Sequence, residues 1–134
     1  MSPSPKHFHQ ERREFIRVKQ ECAVEYRFLG AVESVDSDRS YEGVTDNISG
    51  GGLKLIGTIP NPDWVPLLLL GKVALAVSVR LPGEAHPVRA MTRTAWIEGV
   101  DPGTHRFLVG LRFREIAPHE RERIIQFIIR KQLK

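Results

Sequence analysis

From Lys72 the chain alternates without a break, placing Val73, Leu75, Val77, Val79 and Leu81 on one side. A period of two marks a half-buried strand, because successive side chains of extended backbone point to opposite faces. The same period recurs in Cys22, Val24, Tyr26 and Phe28, with Glu25 and Arg27 on the other face, and again in Phe107, Val109, Leu111 and Phe113. Further strands are expected over about 41–46, 53–56 and 86–97. The polar stretch "VESVDSDR" (32–39) reads as a hairpin connection, and "LPGE" as a tight turn with Pro82-Gly83 at its centre. Residues 57–71, with Pro60, Pro62 and Pro66, read as irregular.

The pattern changes at Pro118. "PHERERIIQFIIRKQLK" carries acidic residues early and basic residues late, which complements a helix dipole. Ile124, Ile125, Ile128 and Ile129 recur at helical spacing, so one amphipathic helix over 118–131 is expected. Six antiparallel strands leave open edges unless the sheet closes on itself. The fold expected is therefore mostly β: a six-stranded antiparallel barrel with a C-terminal amphipathic α-helix laid over a mouth or side. Residues 1–10 read as a flexible leader and residues 11–134 as a single barrel domain.

Composition narrows the function by exclusion. Cys22 is the only cysteine, so no intramolecular disulfide forms, and its place in an alternating run reads as a small buried residue. The N-terminus lacks the apolar core of a signal peptide, and the longest apolar run, 65–70, is interrupted by Pro66. A cytoplasmic chain with no membrane insertion is expected. No nucleophile elbow, P-loop or helical pair of metal-binding histidines occurs, so no enzyme is expected. His7 and His9 alone are too few ligands for a zinc site. The net charge of +4 permits an anionic partner without specifying it. Of ten aromatics most fall at inward strand positions, with Phe8 and Trp64 as exceptions, too few for a base-stacking track. No DNA binding is expected.

Two short features stand apart. Arg13 and Arg17 flank Glu14, Phe15 and Ile16 just before the first strand. A guanidinium pairs bidentately with phosphate oxygens, stacks on bases, and matches the O6 and N7 acceptors of guanine. The same residues also fit an ordinary solvated segment. The second feature is "NISGGG", where Asn47 and Ser49 offer polar side chains and Gly50 to Gly52 permit positive φ or a close backbone approach. A turn with a bulge would account for those glycines equally well.

Taken together, Arg13-x-x-x-Arg17 followed about thirty residues later by Asn47-x-Ser49-x-x-Gly52 resembles the hallmark of the PilZ domain family, Arg-x-x-x-Arg then Asp/Asn-x-Ser-x-x-Gly. "TAWIE" and "FLVGLRF" resemble its late strands, and the resemblance spans about residues 11–130. It implies a receptor for the bacterial second messenger cyclic di-GMP, with no cofactor or metal. Arg13 and Arg17 would meet phosphate and guanine, Asn47 the guanine pairing edge, Ser49 a nearby polar group, and Gly52 a close backbone approach. Asn47 has one acceptor oxygen for guanine's two donors, a poorer match than a carboxylate, and Asp46 assists only if the backbone turns it the same way. Arg12 would engage a second ligand molecule, giving two per protomer. Binding would order the N-terminal segment toward an unidentified protein partner acting in trans, in motility, exopolysaccharide synthesis or adhesion. The alternative within the same resemblance is a PilZ-like interaction module for pilus or motility machinery that binds no nucleotide.

Overall fold

The computed structural model describes residues 16–32, 34–101 and 103–133; the expected leader over 1–10, and Arg12 and Arg13, lie outside them. Among the described residues seven strands form one antiparallel sheet: β1 (Arg17–Val18), β2 (Ala23–Gly30), β3 (Ser40–Ser49), β4 (Gly52–Thr58), β5 (Val73–Arg80), β6 (Val88–Asp101) and β7 (Arg106–Ile116). Among the described residues two helices accompany them, α1 (Trp64–Leu69) and α2 (Pro118–Gln132).

The neighbours run β3-β2-β5-β6-β7-β4, and β4 pairs back onto β3. This closes the six-stranded barrel that the alternation predicts. The seventh strand, β1, is additional. It sets Arg17 opposite Ser49 and Val18 opposite Ile48, along the line on which β2 sets Ala23 opposite Val44. The arginine segment thus continues along the edge of β3 that β2 leaves uncovered.

Inward positions match the period of two. Val24, Tyr26 and Phe28 from β2 meet Val73, Leu75, Val77 and Val79 from β5 in one buried cluster that also holds Cys22. Tyr26 stacks on Tyr41 at 5.7 Å, while Phe28 meets Tyr41 edge-on at 5.4 Å and Trp64 at 5.0 Å. "LPGE" turns as expected: Gly83 has φ of 81° and the Glu84 N–H donates to the Leu81 carbonyl at 3.1 Å. In the β2–β3 connection the Asp38 N–H donates to Asp36 Oδ1 at 3.0 Å, the local turn that aspartate favours.

Residues 57–71 are not irregular throughout. Trp64–Leu69 form α1, which turns Trp64 and Leu68 into the core. Pro66 does not prevent this, because it stands in the first turn, where an N–H has no intrahelical partner. The helix ends in a Schellman arrangement: Gly71 at φ of 78°, with Gly71 N–H bonded to the Leu68 carbonyl and Lys72 N–H to the Leu67 carbonyl. Trp64 is accordingly not an exposed aromatic. It is 6% exposed, and its indole N–H donates to Ser34 Oγ at 3.1 Å. The buried stripe of α2 also differs from the four isoleucines expected. Ile124, Phe127 and Ile128 are buried, whereas Ile129 is 42% exposed. Spacing alone does not say where the stripe is centred, and Phe127 fills the place given to Ile129. Arg123 ties α2 to the β5–β6 turn, reaching Glu84 at 2.7 Å and Glu120 at 2.8 Å.

Tyr26 pins β2 to the end of β4. Its hydroxyl donates to the Thr58 carbonyl at 2.8 Å and accepts from the Thr58 N–H at 2.7 Å. Gly57 makes room for it, since a Cβ there would lie 2.6 Å from the Tyr26 hydroxyl. Burial pushes the phenol from its ordinary 10.0 up to about 12, against the opposing pull of its bond to Thr58. A folded state that holds this proton more tightly than the unfolded chain has its full stability below pH 10 and loses it as pH rises through about 12. Tyr26→Phe is therefore expected to cost roughly 1–3 kcal/mol at neutral pH, by stranding the Thr58 backbone groups. In urea titrations between pH 9 and 12 the variant's stability should fall less steeply than that of the parent. Parallel curves would mean that the hydroxyl is not held as described.

Candidate ligand-binding site

Strict alternation along β3 puts Tyr41, Gly43 and Thr45 inward, and would put Asn47 and Ser49 inward after them. The pairing with β4 shifts between Thr45, opposite Leu55, and Asn47, opposite Lys54, leaving Asp46 as an extra residue. Such a bulge reverses the parity of the residues beyond it. Ile48 enters the core, while Asn47 takes the outward parity half-buried and Ser49, of the same parity, lies buried at 2% exposure. Asp46 sits at the bulge itself, where the alternation that would separate its side chain from Asn47 is broken.

A second bulge does the same to β6. Thr92 and Thr94 are buried, the register shifts between Thr94 and Trp96, and Trp96 emerges 36% exposed. Sequence reasoning placed Trp96 among the inward aromatics. Its only outward signal is the crowding of "TRTAW", which departs from the alternation one residue before the tryptophan.

The registers then assemble two adjacent rows across the barrel wall. One runs Arg17–Ser49–Gly52–Arg112–Arg93 over β1, β3, β4, β7 and β6. The other runs Asn47–Lys54–Gly110–Trp96. The described motif residues Arg17, Asn47, Ser49 and Gly52 thereby come together on one face, although Arg17 and Asn47 are thirty positions apart in the chain. Arg17 Nη1 donates to Asn47 Oδ1 at 3.4 Å, a long bond.

Each motif residue has a distinct local task. The Ser49 hydroxyl accepts from the Gly51 N–H at 3.1 Å and donates to the Gly52 carbonyl at 3.3 Å, binding the β3–β4 connection to itself. The Gly51 carbonyl accepts from the Phe113 N–H at 2.9 Å, which fastens that connection to β7. Gly52 is required by a close backbone approach: a Cβ there would lie 2.1 Å from the Leu111 carbonyl oxygen. The backbone it meets belongs to the barrel, and its φ is not positive. Asn47 keeps its NH2 donors, while its one oxygen faces Arg17.

Beside the motif lies a cleft of about 240 Å³ lined by Arg17, Lys54, Trp96 and Arg112 among others. Lys54 Nζ stands 5.6 Å from the Trp96 ring centroid. Gly110 lets the indole lie across β7, since a Cβ there would come within 2.4 Å of it. Three cations around one exposed aromatic face suit a flat anion: the guanidinia and ammonium hold negative oxygens and the indole holds a ring. No metal-binding cluster occurs among the described residues, and none of their helices is long and apolar enough to cross a membrane.

The model of the PilZ domain matches residues 11–130. The chain belongs to the PilZ domain family. No curated protein matches it at the sequence level. Its fold is similar to that of the Bacillus subtilis inhibitor of motility MotI/DgrA, at 21% identity and a TM-score of 0.65, over 90% of this chain and 51% of that one. It is similar to the Escherichia coli YcgR PilZ domain with c-di-GMP, at 13% identity and a TM-score of 0.53, over 90% of each chain. It is similar also to the K. pneumonia MrkH–c-di-GMP complex, at 13% identity and a TM-score of 0.60, over 90% of this chain and 52% of that one. The chain thus spans about half the length of the MotI and MrkH chains.

The two glycines of this PilZ face separate by experiment. Gly52→Ala drives a Cβ into β7 backbone and should cost roughly 1–3 kcal/mol of barrel stability. Gly110→Ala presses on a side chain that can rotate. Its expected signature is altered Trp96 fluorescence with far-ultraviolet circular dichroism unchanged, while buried Trp64 contributes a constant signal. A Gly52→Ala protein as stable as the parent would contradict the β4–β7 approach.

Proposed function

We propose that this PilZ domain is a cyclic di-GMP receptor, and that the Arg-x-x-x-Arg segment and the Asn-x-Ser-x-x-Gly connection form its binding site. The observation that carries the reading is β1. It lays Arg17 against Ser49 and within 3.4 Å of Asn47, so the two halves of the motif adjoin. Similar folds described with c-di-GMP, those of YcgR and MrkH, support the choice of ligand.

Arg13 and Arg17 grip a phosphate and the O6/N7 edge of a guanine, and Arg12 reaches a second ligand molecule. Asn47 meets the base with its NH2, which suits the guanine O6 acceptor better than the N1–H and N2–H donors. Asp46, freed from alternation by the bulge, supplies the acceptor that Asn47 lacks. Ser49 and Gly52 shape the connection on which the ligand rests. Lys54, Arg112 and Trp96 extend the contact, two as cations and one as a stacking surface. Each charge-assisted hydrogen bond contributes roughly 1.5–3 kcal/mol. A few of these with one stacked base reach about −8 kcal/mol, a micromolar complex.

The protein is a sensor rather than an enzyme. Ligand capture fastens the N-terminal segment to the barrel wall and changes the surface offered to a protein partner in trans. Titration calorimetry with cyclic di-GMP, with GTP and cyclic di-AMP as controls, tests this directly. Micromolar or tighter binding of cyclic di-GMP alone is expected, and Arg13→Ala/Arg17→Ala should weaken it at least 100-fold with the thermal midpoint unchanged. Undiminished affinity in that folded double variant would refute the site. The parent should bind two ligands per chain and Arg12→Ala one. A stoichiometry of one in the parent would remove Arg12 from the site.

A further inference from the structure

A second basic surface lies on the part of the wall formed by β2, β5, β6, β7 and the start of α2. β5 presents only small side chains outward there, Ala76 and Ser78, both half-buried. Longer residues flank them in register. One row runs Glu25–Ser78–Arg89 and the next Arg27–Ala76–Met91–Glu115. The result is an open trough of about 910 Å³ along β5, closed at one end by Ala117 and Arg121 of the α2 start. Its walls stand two strand spacings apart, roughly 9–10 Å, the width of one extended chain with its side chains.

The charge of the trough is unbalanced. Arg27, Arg89, Arg114 and Arg121 face Glu25 and Glu115. The side chains of Arg27, Arg89 and Arg114 make no hydrogen bond or ion pair among the described residues. Nothing internal to the barrel therefore calls for three guanidinia here. Arg114 owes its place to another bulge, for Met91 pairs with Glu115 and Thr92 with Phe113, leaving Arg114 extra.

We infer that this trough docks an extended acidic segment of a partner protein. Closure of the barrel removes free edges among β2, β5, β6 and β7, so the segment is held by side chains rather than by added strand pairing. Ala76 and Ser78 let it lie close to the sheet, Met91 offers an adaptable apolar contact, and the arginines take its carboxylates. Nucleic acid fits less well. No aromatic lines the trough on which a base could stack. The inference is independent of the ligand assigned to the Arg17 face.

Fluorescence anisotropy on the full chain tests it with three labelled molecules: the octapeptide (Glu-Thr)4, the octapeptide (Lys-Thr)4 and an eight-residue oligothymidine. The glutamate peptide is expected to bind, and Arg27→Gln/Arg89→Gln to weaken it at least tenfold with an unchanged thermal midpoint. Lys54→Glu, on the other basic face, should change it less than twofold. Amide shift perturbations with the parent should centre on Ala76, Ser78 and Met91. No binding of the glutamate peptide at millimolar concentration, loss through Lys54→Glu instead, or tighter binding of oligothymidine sensitive to the Arg27→Gln/Arg89→Gln change would each overturn the inference.

Discussion

Closure of the barrel rests on β4, seven residues held between β3 on one side and β7 on the other. Without it β3 and β7 would each present an unpaired edge, and a six-stranded sheet would have no enclosed core. The closure is tightest at Gly52, where the backbones of β4 and β7 approach more nearly than any side chain allows. Three features converge on that point: the Ser49 hydroxyl holds the β3–β4 connection, the Gly51 carbonyl takes the Phe113 N–H, and Arg112 stands opposite Gly52. Ser49 and Gly52 are thus fold residues first. Their place in a ligand motif comes from where the barrel closes.

The function proposed for this face depends on parity. An alternating strand dedicates every second residue to the core and cannot place successive functional groups outward wherever they fall. The bulge at Asp46 changes the count by one, so that Ile48 fills the core and Asn47 and Ser49 take the outward parity. The bulge before Trp96 does the same for an indole. Each costs a ladder pairing and gains a re-aimed side chain, and both lie beside the same cleft.

The sequence reveals the barrel because its strands obey the simplest rule. Val73 to Leu81 and Cys22 to Phe28 alternate cleanly, and both runs are buried on the expected side. It conceals what depends on tertiary context. Helix α1 hides behind Pro60, Pro62 and Pro66, since a proline in a first turn looks the same in sequence as one that breaks a helix. Trp64 and Trp96 exchange places for related reasons: one is drawn inward by that helix, the other turned outward by a bulge. The motif residues are visible in the sequence, whereas Lys54 and Arg112 become neighbours of Arg17 only through the registers of β4 and β7.

The bulge at Asp46 also bears on how such a chain can change over time. Point replacements at this position alter one side chain and leave the count of residues intact. Loss of a single residue there would restore plain alternation through the end of β3. Asn47 and Ser49 would keep their outward parity and Ile48 its inward one, because Thr45 and Asn47 would then be consecutive residues on opposite faces. The outward placement of Asn47 on the proposed ligand face therefore survives loss of residue 46, which would remove only the bulge and the Asp46 carboxylate.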